Sequence, residues 1–125
     1  MASIENEIKA SRNAANRLSL SKEQRDLLKR ASESKADFMQ RLRNKDTRRI
    51  TNPDGSHSTH LLGWATNDRN EAIIFPEIQP DENGTLRNYG NDAVRRAIEK
   101  QDTLVTSPEL ADWFTQNYKQ FFPVD

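Results

Sequence analysis

The chain has no cysteine, two histidines and four glycines among its 125 residues. Without thiols there is no disulfide and no thiolate metal site. No apolar run approaches the roughly 20 residues that a membrane-spanning helix needs, so no membrane partner is expected. The opening stretch MASIENEIKASRNAANRL has no apolar segment of the signal-peptide kind, which predicts folding in a cytoplasm. There is no phosphate-binding glycine loop and no dinucleotide fingerprint, so no cofactor and no small-molecule substrate is expected. Residues 1–50 contain neither glycine nor proline, the two residues that most readily stop a helix. Hydrophobic residues are 34% and charged residues 30%, which fits one small core with a polar extension.

The net charge of zero conceals an asymmetry. Residues 1–50 carry 13 Lys/Arg against 7 Asp/Glu, and residues 51–125 carry 6 against 12. A basic segment joined to an acidic one can bind its own body, another copy, or an external polyanion.

Residues 1–50 read as a basic helical arm of one or two helices. Ile4, Ile8, Ala15 and Leu18 fall near one face, and Ala10 and Ala14 add helix propensity. Ser21 and Gln24 have the spacing of a capping box, which starts a second helix. From there Leu27, Leu28, Ala31, Phe38, Met39 and Leu42 form a narrow apolar stripe. Such a helix gains most of its stability by burying that face on its own body, a partner protein or a second copy. The stripe, together with Arg41, Arg43, Arg48 and Arg49, is assigned here as the partner-binding surface.

At Thr51 the texture changes. Pro53-Asp54-Gly55 is a turn signature. Residues 57–65 alternate as a strand, with His60, Leu62 and Trp64 on one face and Thr59, Leu61 and Ala65 on the other. Residues 71–78 form the return strand of a hairpin, in which Pro76 marks an edge or a strand end. Residues 79–91 read as a loop with a turn at Asn83-Gly84. Asn91 is a candidate cap for a short helix whose inner face is Ala93, Val94, Ala97 and Ile98. A short strand at 102–106 precedes a helix opened by Ser107 and Pro108. Leu110, Trp113, Phe114, Tyr118 and Phe121 give that helix a broad aromatic face. The fold class is α+β: the arm at 1–50, then a small ββαβα body at 51–125.

His57 and His60 would point to opposite faces of a strand, and only Asp54 is a nearby third ligand, so a metal site is not expected. Ser56, Ser58 and the histidines lie along one strand and cannot converge as a nucleophile, base and orienting acid. No catalytic residue is assigned. The basic run RLRNKDTRRI, with Lys45 among its cations, could grip phosphates. It has no interleaved aromatic for base stacking, so nucleic acid ranks below an acidic protein surface. The sequon Asn83-Gly84-Thr85 has meaning only on secretion.

The succession NPDGSHSTHLLGW, AIIFPEIQ, NGTL, NDAVRRAIEKQDT and SPELADWFTQNYK resembles a small α+β domain of tailed-bacteriophage virion-associated proteins. The resemblance covers about residues 51–120, with the elements in the same order and at similar spacing. His57, His60 and the separate basic arm depart from that pattern. The resemblance implies a non-enzymatic structural protein of the virion, made in the host cytoplasm. Its partners would be other phage proteins or copies of itself, at the head–tail junction, the tail or the capsid. The alternative is a phage-encoded intracellular protein that binds a host factor or nucleic acid.

Overall fold

The structure is a computed structural model and describes residues 20–44, 48–58 and 60–122. The stripe Ile4, Ile8, Ala15 and Leu18, its neighbours Ala10 and Ala14, and also Lys45 and Thr59, lie outside the described residues.

Helix α1 spans Lys22–Glu33 and opens on the expected capping box. Ser21 Oγ accepts the Gln24 N–H at 3.1 Å, and Gln24 Oε1 accepts the Ser21 N–H at 2.9 Å. Helix α2, Asp37–Asn44, follows after a break at Ser34–Ala36. Two small strands come next, β1 at Ile50–Thr51 and β2 at His57–Ser58, paired antiparallel around the Pro53–Gly55 turn. Strands β3, Leu62–Thr66, and β4, Ala72–Pro76, form the main hairpin. A further hairpin, β5 at Ile78–Pro80 and β6 at Leu86–Asn88, turns at Asn83-Gly84, where Gly84 takes φ +81°. Helix α3 is Ala93–Glu99, strand β7 is Leu104–Thr106, and helix α4 is Pro108–Asn117.

The fold is α+β, as expected, and several details differ from the sequence reading. The strand expected at 57–65 is two strands: β2 pairs with β1, and β3 pairs with β4. The loop expected at 79–91 contains the β5–β6 hairpin. Asn91 does not cap α3, because a 3-10 turn over Gly90–Asp92 leads into the helix. Ala93 and Ala97 do face inward, but Ile98 is exposed.

The central sheet has the order β3-β4-β7, antiparallel throughout. Alternation along the strands divides its two faces. Leu62, Ala72, Ile74 and Leu104 meet Ala111, Phe114, Tyr118 and Phe122 from the C-terminal region. The same cluster contains Leu27 and Ala31 of α1 and Phe38, Met39 and Leu42 of α2. On the opposite face, Phe75 and Ala65 meet Ala93 and Ala97 of α3. Gln79 anchors α3 at this corner, with Nε2 donating to the carbonyls of Pro76 at 2.8 Å and Ala93 at 2.9 Å.

Candidate interaction surface

The apolar stripe assigned to a partner is mostly an internal surface. Leu27, Ala31, Phe38, Met39 and Leu42 are at most 1% exposed, buried against the sheet and α4. This corrects the partner-binding assignment for those five. An amphipathic pattern reports that a face is buried, and here the chain's own body buries it. Leu28 alone of the stripe stays partly exposed.

The four arginines also separate. Arg41 is 6% exposed, and its guanidinium donates to Asp37 Oδ2 and to the Ile78 carbonyl, each at 3.1 Å. It ties α2 to β5, which corrects its assignment as a partner contact. Arg43 is half-buried and donates to the Ala31 carbonyl at 2.9 Å, near the C-terminal end of α1. A cation there meets the negative end of a helix. Arg48 is exposed and donates to the Gly84 carbonyl at 2.7 Å, linking the chain ahead of β1 to the β5–β6 turn. Arg49 is exposed.

The polar stretch 51–58 is a hydrogen-bonded turn. Asp54 Oδ1 accepts both the Ser56 N–H at 3.0 Å and the Ser56 hydroxyl at 2.6 Å. That hydroxyl is the main reason the Asp54 carboxyl sits below its ordinary range. Asn52 Nδ2 donates to Ser56 Oγ and Ser58 Oγ at 3.0 and 2.8 Å. His57 Nδ1 lies 3.3 Å from Thr51 Oγ1 on the exposed side, while His60 is buried between β2 and β3. Both serines are thus engaged locally and the two imidazoles are in different environments. Among the described residues, no group of three His, Cys, Asp or Glu could hold a metal ion.

Two surface features of the described residues bear on a partner. The first is a groove of about 370 Å³ between α1 and the C-terminal aromatics. Leu20, Leu28, Phe121 and Phe122 supply its apolar wall, and Arg25 and Lys29 its charge. Leu28 and Phe121 are apolar positions in the sequence, but their meeting depends on the turn after α4 packing against α1. The second is the outer edge of β3. Glu77 N–H donates to the Leu61 carbonyl and Asn67 N–H to the Glu71 carbonyl, at 2.7 and 2.9 Å. With the register Leu62↔Pro76, these bonds place 61, 63, 65 and 67 in hydrogen-bonded pairs with β4. The main-chain groups of Leu62, Trp64 and Thr66 therefore point away from β4. Pro76 faces Leu62 in a non-hydrogen-bonded pair, so its missing N–H leaves the β3–β4 ladder intact.

Searches against family models, curated proteins and solved structures each found no match.

Proposed function

We propose that this protein is a non-enzymatic, virion-associated structural protein of a tailed bacteriophage, contacting other proteins of the particle. The phage setting rests on the resemblance over residues 51–120. The contact surface rests on one observation, the apolar groove of Leu20, Leu28, Phe121 and Phe122 with Arg25 and Lys29 beside it. Apolar surface edged by cations suits an apolar segment flanked by acidic residues. The groove takes over the role first assigned to the buried stripe.

Mass spectrometry of purified phage particles tests this reading. Stoichiometric amounts of the chain are expected in the particle, and the charge-reversed pair Arg25→Glu with Lys29→Glu lowers its copy number. Absence from particles turns the assignment toward an intracellular binding protein. Normal incorporation of the double variant removes the groove from the reading.

A further inference from the structure

The two outer edges of the central sheet are treated differently. In β7, the pairs Ala72↔Thr106 and Ile74↔Leu104 point inward to β4, which leaves the Val105 main chain facing outward. Arg30 of α1 reaches across 75 residues of sequence and donates its guanidinium to that Val105 carbonyl. A long cationic side chain over a strand edge discourages further pairing.

Among the described residues, none covers the β3 edge in this way. Leu62-Gly63-Trp64-Ala65-Thr66 has no charge and no proline, and its register against β4 runs without a bulge. No strand of the described residues pairs with its outer side. Leu61, immediately before the strand, is 42% exposed, one of two large apolar side chains on the described surface to be so. Outward N–H and C=O groups at every second residue specify the occupant's backbone as an extended strand.

We propose that β3 pairs antiparallel with β3 of a second copy, joining two three-stranded sheets across a two-fold axis at Trp64. The strand suits itself. It brings no like charges together, and the axis sets Trp64 against Trp64 and Leu62 against Thr66 of the other copy. All three pairs are of the hydrogen-bonded kind, giving roughly six main-chain hydrogen bonds. Exposed Leu61 then lies beside the turn at residue 67 of the second copy. This inference does not depend on the particle setting.

Sedimentation of the purified full chain over a range of concentrations tests it, alongside Thr66→Pro and Thr66→Lys. The Thr66 N–H points outward and its side chain is exposed, so neither change removes a bond of the β3–β4 ladder. The expected result is a dimer whose dissociation constant rises at least about tenfold with Thr66→Pro, which removes the outward N–H at both ends of the shared ladder, and also rises with Thr66→Lys, which sets a cation on the shared edge. Amide exchange gives a readout that needs no variant. Protection of Trp64 and Thr66 rises with protein concentration, while that of Gly63 and Ala65 stays constant. A chain that remains monomeric at the highest concentration overturns the proposal. So does a dimer that both variants leave intact, or one whose protection pattern ignores the alternation.

Discussion

The Asp102 carboxylate accepts the backbone N–H of Phe38 at 2.9 Å, across 64 residues of sequence. Helix α2 is preceded by Ala36, which has no side-chain acceptor for the first turn. The acceptor that Ser, Thr, Asp or Asn would ordinarily supply at that position comes instead from the loop between α3 and β7. Residues 20–44 are therefore bonded as well as packed into the body.

Removing this tertiary cap costs stability. Asp102→Ala is expected to lose about 1–2 kcal/mol in urea unfolding, while Asp102→Asn keeps the acceptor and much of the stability. The charge has its own signature. Burial, opposed by the Phe38 N–H, raises the Asp102 carboxyl above its ordinary 3.8. The folded state then holds its proton more tightly than the unfolded state. That contribution is complete below pH 3.8 and is lost as pH rises through the folded-state value. The stability of Asp102→Asn relative to the native chain should thus increase with pH across that window. A difference that is flat with pH contradicts the assignment.

The burial of α1 and α2 predicts one cooperative transition. Leu42 is fully buried in the cluster that also holds Phe114. Leu42→Ala should destabilise the whole chain by about 2–5 kcal/mol, and thermal melts followed by the fluorescence of Trp64 and Trp113 and by helical circular dichroism should shift together. Two separate transitions would show that the helices and the sheet unfold independently.

What the sequence disclosed follows the range of each interaction. The capping box of α1 and the Ser107-Pro108 start of α4 are local, and both form as read. The periodicity of Leu27, Ala31, Phe38 and Leu42 identified a buried face. It could not identify the opposing surface, because that surface comes from residues after 60. Likewise the alternation from His57 to Ala65 is continuous, yet the chain changes pairing partner within it, and pairing is set by residues distant in sequence. The β5–β6 hairpin was hidden because Pro80 and Asn88 are weak strand formers. Asp81 and Arg87 in fact bond across it at 2.7 Å, which holds the Asp81 carboxyl below its ordinary range.

Arg41 and Arg49 lie in one basic run yet have different tasks. Arg41→Ala strands the Ile78 carbonyl and leaves a void beside α2, so a loss of about 2–3 kcal/mol is expected. Arg49→Ala, at an exposed position, should change stability by no more than about 1 kcal/mol. Equal losses in chemical unfolding would contradict the placement of Arg41.

The end of α3 contains a residue whose replacement should stabilise the protein. The Gln101 N–H donates to the Ile98 carbonyl at 3.1 Å and the Asp102 N–H to the Ala97 carbonyl at 2.8 Å. This crossed pair of bonds is a Schellman motif, which requires a left-handed residue just after the helix and usually has glycine there. Gln101 occupies that position at φ +57°. A β-carbon in this conformation is costly, whereas glycine adopts it without strain. Gln101→Gly should stabilise by about 0.5–1 kcal/mol, the relief of strain being partly offset by glycine's greater freedom in the unfolded chain. The motif also sets the position of Asp102, so the gain should shrink in an Asp102→Ala background if the two devices are coupled. A double-mutant cycle measures that coupling; full additivity would mean that α3 ends and α2 begins independently of each other.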